Sequence, residues 1–386
     1  MTAAVWLFWL SVAWVGYVWI GYPLILAVLT RIRSFRPQPA DGYYPAVSVL
    51  IAARNEAKDI GWKLAQTLAW DYPADRFEVL VGSDASTDGT DEIIRAVGDA
   101  RVRFVRNQER AGKTATLNLL ARLAQGEVLF FTDANTHIEP ECLKAMVRHF
   151  ADPRIGCVTG MERNVAGPEV STMTAGSNAY LDYECTINTL ESKLGSVLVC
   201  DGSVYCLRRS LFTELDRDLA NDLEHPLRAG SAGSAIVYEP RARSYELCTS
   251  LETEEFRRRR RIAAQGALAM WRLRHELRGL RLWQFLSRKF LRWLTVLPLG
   301  IALAANALLR HEQFFAVILS LQIAFYGLAL LGARRQFGLT GLLRLPFVFL
   351  LANVAVFMGV LDACRRKTFA TWNIAELSRG SSPQRG

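Results

Sequence analysis

The 386-residue sequence has few cysteines and lacks the spacings that zinc sites and disulfide scaffolds require. Its seven cysteines form no CxxC pair, and their odd number does not fit a fully paired framework. This usage suits a reducing cytosol. The sequence also lacks internal repeats, long linkers and the P-loop spacing, so it fits neither a repeat protein nor a P-loop nucleotide-binding protein.

Charge of either sign is absent from Thr2 to Thr30. This run exceeds the roughly 20 residues that a helix needs to cross a bilayer core. A signal peptide would have a basic start and a shorter apolar stretch, whereas here Arg31, Arg33 and Arg36 follow the run. We therefore expect residues 1–36 to form an uncleaved transmembrane anchor. The positive-inside rule places the middle of the chain in the cytosol.

Three further apolar runs, 293–309, 314–333 and 345–363, have nearly spanning length, so residues 293–370 are predicted to form transmembrane helices. Bundled core helices are the alternative. Residues 266–292 mix arginines with aromatic side chains, as amphipathic interface helices do. Three crossings after a cytosolic domain put the C-terminus outside, yet Arg365, Arg366 and Lys367 favour the inside. Either one run does not cross, or the rule fails. The tail, 371–386, is predicted to be disordered.

The net charge of +9 comes from arginines that cluster beside the apolar runs. This distribution fits binding to anionic headgroups and phosphate-bearing substrates. No recognised reader motif accompanies the charge, so nucleic acid is not an expected partner. We expect membrane lipids to be partners.

Five apolar segments between residues 46 and 160 alternate with segments of helical periodicity. They read AVSVLIAAR, FEVLVGSD, VRFVRN, GEVLFFTD and IGCVTG. Such alternation predicts a mostly parallel, doubly wound α/β sheet with helices on both faces, within a cytosolic domain of residues 37–265. A polar helix around 180–192 and a strand at SAIVYEP follow.

Polar groups end the first, second and fourth segments, namely Arg54 to Glu56, Asp84 and Asp133. Ligands of open α/β sheets bind beyond the carboxyl ends of the strands, so these groups are predicted to share one cleft. Any one acid alone could be only a helix cap. Asp84 could accept from a base or a ribose, whereas Asp88 is predicted to cap the next helix.

Further candidate residues follow along the chain. Lys113 begins a predicted helix, where a cation and free amides could hold phosphate, although a solvated lysine is the simpler interpretation. Asp133 and Asn135 could share one hard cation with substrate phosphates. Asp222 could be a general base or only a capping acid. The five arginines 257–261 could clamp a diphosphate, or could face water or the membrane.

In order, these segments resemble the family 2 glycosyltransferases, in particular the membrane-bound branch with cellulose, chitin-oligosaccharide and hyaluronan synthases. The resembling segments are VSVLIAARNE, SDASTDGT, FTDAN, DGSVYCLRRSLF, NDLEHPLR and RRRRI. The resemblance covers nearly the whole chain. It implies a GT-A-like doubly wound mixed sheet flanked by transmembrane helices, at a bacterial-type inner membrane.

The resemblance also implies roles for individual residues. Asp222 would be the catalytic base, Asp133 and Asn135 would bind Mg²⁺ or Mn²⁺, and Gly202, Ser203 and Tyr205 would line the acceptor path. The donor-binding residues would be Ala53, Arg54, Glu56, Asp84, Lys113, Asp133, Arg258, Arg259 and Arg261.

Three positions depart from the family pattern. Asn135 replaces the second acid of D-x-D, and Asn221 replaces the acid before Asp222. The last motif, Q-x-x-R-W, lacks its Gln and has Ile262 in place of its Trp. Because that Trp stacks near the acceptor sugar in the family, its loss puts processivity in doubt.

The implied reaction is an inverting transfer of sugar from a nucleotide donor, UDP in preference to GDP, to a growing polysaccharide or glycan acceptor. Polymer export is a further implication, although four helices are few for a channel and a second copy or an export partner could be needed. The competing hypotheses are transfer of one sugar to a lipid-linked acceptor and a catalytically inactive scaffold subunit.

Overall fold

A computed structural model describes residues 2–165, 171–217, 219–247, 252–334 and 341–365. The tail 371–386 and the basic residues Arg366 and Lys367 lie outside these ranges.

The described residues contain one eight-stranded mixed sheet with the order β3-β2-β1-β4-β7-β6-β8-β5. Strands β1 to β4 are parallel, β7 is antiparallel to both β4 and β6, and β8 is parallel to β6. All six predicted strands are present. The short strands β5 and β7 were not predicted. The strands are β1 (Val47–Ala53), β2 (Phe77–Ser83), β3 (Val102–Arg106), β4 (Val128–Asp133), β5 (His137–Ile138), β6 (Ile155–Val165), β7 (Tyr205–Arg208) and β8 (Ala235–Leu247).

Helices cover both faces of the sheet, which confirms the predicted doubly wound α/β class. Apolar residues of the strands and of these helices form one core layer on each face. One layer surrounds Val49 and Phe130, and the other surrounds Leu50 and Phe131. The helices of the described chain are α1 (Ala3–Gly16), α2 (Tyr22–Ile32), α3 (Ile60–Leu68), α4 (Thr90–Ala96), α5 (Lys113–Leu123), α6 (Cys142–Val147), α7 (Ser171–Ser192), α8 (Asn221–Ser231), α9 (Glu252–Leu273), α10 (Gly279–Phe285), α11 (Leu291–Trp293), α12 (Val296–Leu308), α13 (Gln313–Gly332) and α14 (Leu345–Cys364).

Three helices are long and apolar enough to span a membrane, namely Ala3–Ile32, which includes α1 and α2, then α13 and α14. The run 293–309 was predicted to form a transmembrane helix, and here the structure differs. Its helix α12 has only 13 residues and forms a pair with Gly279–Trp293 that is bent by 57°. Counting that pair as one span gives four candidates among the described residues. The helix α9 continues past the predicted domain boundary at residue 265.

A buried ionic network joins the N-terminal helix, α7 and the segment between α10 and α11. Arg288 donates to Glu191 and to Glu184, with both N–O distances 2.6 Å, and to Asn188. Glu191 is fully buried and also accepts from the hydroxyl of Tyr22. Because each charge in the network is paired, the apolar helices can pack on the polar side of α7 without leaving a lone buried charge.

Removing the guanidinium of Arg288 should therefore lower the free energy of unfolding. We expect Arg288→Met to lower the free energy of unfolding by about 3–5 kcal/mol, because the carboxylates of Glu184 and Glu191 lose a buried partner. The exposed pair of Arg122 and Glu214 offers a matched control, and Arg122→Met should leave the free energy of unfolding nearly unchanged. Thermal unfolding of the purified variants in one detergent measures both. Equal losses in the two variants would contradict this account.

Candidate active site

The polar groups at the carboxyl ends of β1, β2 and β4 meet at one edge of the sheet, as predicted. The side chain of Arg54, just after β1, donates to the backbone oxygen of Asp84 over 2.6 Å. Ala53 is buried, and its carbonyl accepts from the backbone of Asp84 over 2.9 Å. Since β1 lies between β2 and β4, the side chains that follow these three strands surround one cleft.

Asp84 anchors the loop that precedes α5. Its carboxylate accepts hydrogen bonds from the side chain of Asn107 and from the backbone amides of Ala111 and Gly112, over 2.6–3.0 Å. The side chain is fully buried. The structure thus gives Asp84 a clear role in shaping the cleft, and its direct contact with a nucleotide stays a prediction.

Asp88 and Glu56 fix the loops above β1 and β2. The carboxylate of Asp88 accepts from the backbone amide of Thr90, the first residue of α4, over 3.2 Å, although the N-cap position itself is held by Gly89 and not by Asp88 as predicted. It also accepts from the amide of Ala57. Glu56 is buried, and its backbone amide donates to the hydroxyl of Thr90. Donor binding by Glu56 stays a prediction.

Lys113 and Asp133 form an ion pair at the cleft. Lys113 is the first residue of α5, and its ammonium forms an ion pair with the carboxylate of Asp133 at the end of β4. Both side chains are about one quarter exposed, at 26% and 27%. This pair contradicts the simpler interpretation of Lys113 as a solvated lysine, because the cation lies against the strand end where a ligand would bind.

The loop after Asp133 rests on a buried lysine. The ammonium of Lys63 donates to the hydroxyl of Thr132 over 2.9 Å and to the carbonyl of Thr136 over 2.8 Å. Burial lowers the pKa of Lys63 to about 7. The loop thereby holds Asp133 and Asn135 in place, and the side-chain amide of Asn135 donates to Glu246.

Asp133 and Asn135 are suited to share a divalent cation only with further ligands. Among the described residues there is no group of three or more histidine, cysteine or acidic side chains that could hold a metal alone. A set of one carboxylate and one amide oxygen fits a hard cation whose remaining ligands come from a bound diphosphate and water.

Asp222 lies in the first turn of α8, where its position is fixed from two sides. Its backbone carbonyl accepts from the amide of Cys200 over 2.9 Å. A Cβ on Gly202 would lie 3.2 Å from its Oδ2 atom, so Gly202 brings the backbone close to this carboxylate. Burial raises the pKa of Asp222 above its ordinary value, whereas the cations of Lys113 and Lys289 oppose the rise. A carboxylate with a raised pKa accepts a proton more readily.

Tyr205 and Ser203 have their polar groups bound within the protein. Tyr205, the first residue of β7, is fully buried and stacked on Phe131, and its hydroxyl accepts from Asn221 over 2.7 Å. Ser203, just before β7, is buried, and its hydroxyl donates to Asp201 over 2.7 Å. A place for either residue on an acceptor path stays a prediction.

The arginines of α9 separate into different environments. Arg258 lies 3.7 Å from Glu162 and 3.9 Å from Glu246, and Arg259 pairs with Glu255 one turn earlier. Arg260 pairs with Asp362 of α14. Arg261 forms no hydrogen bond or ion pair with any residue that the structure describes.

Two acids of this region, Asp222 and Asp133, act electrostatically on Arg261. Its pKa is lowered by burial and by Arg258 and raised by Asp222 and Asp133, so its guanidinium lies among these groups. Five donors in a planar fork suit it to phosphate oxygens. Unlike Arg258, Arg259 and Arg260, Arg261 forms no ion pair with the described residues, so its donors are available to a ligand.

Three acids of this region were not predicted: Glu162, Asp201 and Glu246. The pKa of Glu162 is raised well above its ordinary value by burial, then by Glu246 and Asp201. Asp201 accepts from the amide of Glu162 over 2.8 Å. Its place directly before Gly202, in a segment already singled out, was a usable signal. No signal in the sequence pointed to Glu162 and Glu246, because only the pairing of β6 with β8 brings them together.

A solved structure with the same fold is a mannosyltransferase from Pyrobaculum calidifontis, in complex with GDP-Man and Mn²⁺. It matches with a TM-score of 0.71 and 22% identity over 94% of this chain and 99% of that one. This likeness shows a GT-A-like fold.

The family model of glycosyl transferase family 2 matches residues 48–215. This part of the chain is therefore a glycosyl transferase family 2 domain, which confirms the resemblance and the class of enzyme predicted from the motifs. It spans β1 to β7 and thus the strand ends that carry Asp84 and Asp133.

Curated relatives include the β-monoglucosyldiacylglycerol synthase of Synechocystis, 32% identical over 140 residues, which are 35% of this chain and 29% of the relative. Another is the poly-β-1,6-N-acetyl-D-glucosamine synthase of Staphylococcus aureus, 26% identical over 212 residues, 52% of this chain and 50% of the relative. The chain spans half or less of the length of these relatives. One is named for a glycolipid and the other for a polysaccharide.

The buried histidine next to Asp222 should make stability depend on pH. Burial lowers the pKa of His225 to about 3, from an ordinary value of 6.5, so the folded protein holds this residue neutral. Its Nδ1 atom lies 2.9 Å from the Tyr205 hydroxyl. Because only the unfolded chain takes up a proton below pH 6.5, stability should fall as the pH drops from 6.5 towards 3.

The expected slope from this one group approaches about 1.4 kcal/mol per pH unit. Thermal unfolding at pH 7.5 and at pH 5.5 measures it, with His225→Asn as the comparison that retains an acceptor without the titration. We expect the unchanged protein to lose more stability than the variant between these two pH values. Identical losses would show that His225 does not cause the dependence.

Proposed function

We propose that the protein is an inverting glycosyltransferase that transfers sugar from a nucleotide-diphosphate donor to a growing polysaccharide, glycan or glycolipid acceptor at the cytosolic face of a membrane. The observation that carries the proposal is the placement of Asp222, with a raised pKa, beside the strand-end acid Asp133 and the cations Lys113 and Arg261. A base, a site for a cation and free guanidinium donors are the groups that such a transfer needs.

In the proposed step, the carboxylate of Asp222 takes the proton from an acceptor hydroxyl. That oxygen attacks the anomeric carbon as the bond from this carbon to the diphosphate breaks, and the nucleotide leaves with the bonding electrons. Arg261 and Lys113 stabilise the negative charge that grows on the diphosphate. Displacement from the opposite side converts an α-linked donor into a β-linked product.

A divalent cation fits this proposal. Asp133 and Asn135 would hold Mg²⁺ or Mn²⁺, which supplies charge neutralisation for the donor diphosphate. The ammonium of Lys113 already neutralises Asp133 in the described structure. Lys113 would then be free to pair with the donor phosphates once a cation binds to Asp133.

The proposal does not specify the nucleobase of the sugar donor. The preference for uridine rests on the resemblance alone, and the mannosyltransferase of the same fold was solved with GDP-Man. In the proposal, Asp84 and Arg54 would lie on the base side of the cleft. A donor panel for this protein should therefore include both UDP- and GDP-sugars.

Transfer of one sugar to a lipid acceptor has its own support. Ile262 stands where processive members have a Trp, and its side chain is exposed, at 48%. An aliphatic side chain offers no aromatic face on which an acceptor sugar could stack. A relative named for monoglucosyldiacylglycerol fits such an acceptor.

The helix α14 bears on the membrane topology. Arg344 at its start pairs with Glu252, and Asp362 near its end pairs with Arg260, so both ends of α14 contact α9. A Cβ on Gly359 would lie 2.2 Å from the backbone oxygen of Arg260, which shows how closely the helices pack. We infer that α14 lies along the catalytic domain at the membrane surface, and that the chain crosses the membrane twice after the domain, through α12, which packs on Phe8 of α1, and through α13. The conflict between three crossings and the basic residues after 364 then disappears.

This topology places the C-terminus on the same side as the catalytic domain. We expect Cys364, which is exposed, to react with a membrane-impermeant maleimide in inside-out vesicles and to be protected in right-side-out vesicles. The intermediate-exposed Cys185 should be replaced by Ser so that it does not contribute. Labelling of Cys364 only in right-side-out vesicles would contradict the inference.

The proposed base is tested by Asp222→Asn, which preserves shape and removes the proton acceptor. We expect sugar-dependent release of nucleotide to fall by about 10²–10⁴-fold, measured for protein in lipid with Mg²⁺ or Mn²⁺ across the donor panel. Affinity for the donor should change little, because the proton acceptor lies on the acceptor side of the reaction. Glu214→Gln, at an exposed ion pair, is the control and should keep the rate of the unchanged protein.

Turnover that survives Asp222→Asn would refute Asp222 as the base. A lack of turnover with every donor and acceptor, in a protein that still binds nucleotide, would instead favour the inactive scaffold. The size of the product formed in a single encounter separates a processive enzyme from one that adds a single sugar.

A further inference from the structure

Glu246 lies beside the loop that carries the two residues predicted to bind the cation. The strands β5 and β8 pair in antiparallel register, with His137 opposite Tyr245. Because the register is antiparallel, the next residue of β8 lies alongside the loop that precedes β5. The contact with this loop is direct, since the side-chain amide of Asn135 donates from Nδ2 to the Oε1 atom of Glu246 over 2.9 Å.

This hydrogen bond determines the orientation of the Asn135 amide. An ionised carboxylate only accepts hydrogen bonds, whereas an amide has donors on its nitrogen and lone pairs on its oxygen. The nitrogen of Asn135 therefore faces Glu246, and its Oδ1 atom is directed away from that carboxylate. Asn135 is exposed, and its Oδ1 atom accepts no hydrogen bond from any residue that the structure describes. An amide oxygen of this kind is a ligand that a hard cation accepts.

Arg258 holds the other oxygen of the Glu246 carboxylate. Its Nη2 atom lies 3.9 Å from Oε2 of Glu246 and 3.7 Å from Oε1 of Glu162. The pKa of Arg258 is raised above its ordinary value, first by Glu246 and then by Glu162, against the effect of burial. The two oxygens of Glu246 thus have different partners, the amide of Asn135 and the guanidinium of Arg258.

The same contact accounts for the asparagine at position 135. This position corresponds to the second acid of D-x-D, and the chain has an amide there. An aspartate at 135 would bring a second carboxylate to hydrogen-bond distance from Glu246, so that two like charges would face each other without a donor between them. An amide supplies the donor and still offers one oxygen to a cation.

We propose that Glu246 is a positioning residue that orients the amide of Asn135, so that the amide oxygen faces the divalent cation of the donor complex. The proposal rests on the proposed function, in which Asp133 and Asn135 share that cation with the donor diphosphate. Glu246 acts on the cation only through Asn135. Metal ligands that a neighbouring acid holds in one orientation bind more tightly than ligands without such a partner.

The test is the gain in nucleotide affinity that Mn²⁺ provides, measured by isothermal titration calorimetry on the purified full chain in detergent. UDP and GDP are the two probes, each titrated once with Mn²⁺ and once with EDTA. We expect Glu246→Met, which removes the acceptor, to reduce this gain about ten-fold. Affinity in EDTA should stay unchanged, whereas damage to the fold of the cleft would lower both affinities.

A double-mutant cycle shows whether Glu246 acts through Asn135. Asn135→Ala removes the proposed ligand and should reduce the gain from Mn²⁺ at least as much as Glu246→Met does. The double variant should lose no more than Asn135→Ala alone, because no amide is left to orient. A further loss in the double variant would mean that Glu246 acts on the cation directly, and it would overturn the proposal.

Glu162→Met is the matched control. Glu162 also lies against Arg258, but in the described part of the chain it forms no hydrogen bond with Asn135. The gain from Mn²⁺ should therefore stay as it is in the unchanged protein. Equal losses in Glu162→Met and Glu246→Met would assign the effect to Arg258 and overturn the proposal. An undiminished gain in Glu246→Met, or no gain in the unchanged protein, would overturn it as well.

Asn135→Asp tests the contact without a cation. In EDTA, this change should lower the unfolding temperature of the unchanged protein, because two carboxylates then meet, and it should have a smaller effect in the Glu246→Met background. Equal effects in both backgrounds would contradict the contact.

Sugar-dependent nucleotide release is measured separately and distinguishes this inference from the proposed function. A gain from Mn²⁺ that depends on Glu246, without any turnover, refutes the proposed transfer alone. Turnover that Asp222→Asn abolishes, together with a gain that does not depend on Glu246, refutes only the positioning role.

Discussion

The desolvated carboxylate of Asp222 is the group on which the rest of the site depends. Burial makes its charge costly, and the nearby cations of Lys113 and Lys289 offset part of that cost. This balance raises the affinity of the carboxylate for a proton while the group stays available as a base. One cation lies at the start of α5 and the other in the segment between α10 and α11, so the proposed base lies near both parts of the chain.

The supporting structure keeps that carboxylate in place. Tyr205 and Asn221 hold the start of α8 from the core, and Gly202 brings the neighbouring loop against the side chain. The ionic network of Arg288 fixes the segment that carries Lys289 against α7. A displacement of either support would move Asp222, so the proposed base depends on both the core of the domain and the segment between α10 and α11.

Sequence reasoning predicted the features that depend on local pattern. The strands of the parallel half have apolar runs and polar ends, and these predicted that Arg54, Asp84 and Asp133 lie around one cleft. The pairing of β7 between β4 and β6 is not local, and it decides that Tyr205 is buried. The pairing of Arg260 with Asp362 joins residues 102 positions apart, so an unbroken run of arginines gave no sign that one of them serves α14. Lys289 was not predicted either, because it lies among other basic residues of an amphipathic stretch.

The most direct test of the account is the anomeric configuration of the first product formed by the purified protein in lipid. Proton NMR of the transferred sugar reads it from the coupling constant of the anomeric proton. With Asp222 as the base of a single displacement, an α-linked donor gives a β-linked product. Retention of the α configuration would require a different mechanism, and it would contradict the role proposed for Asp222.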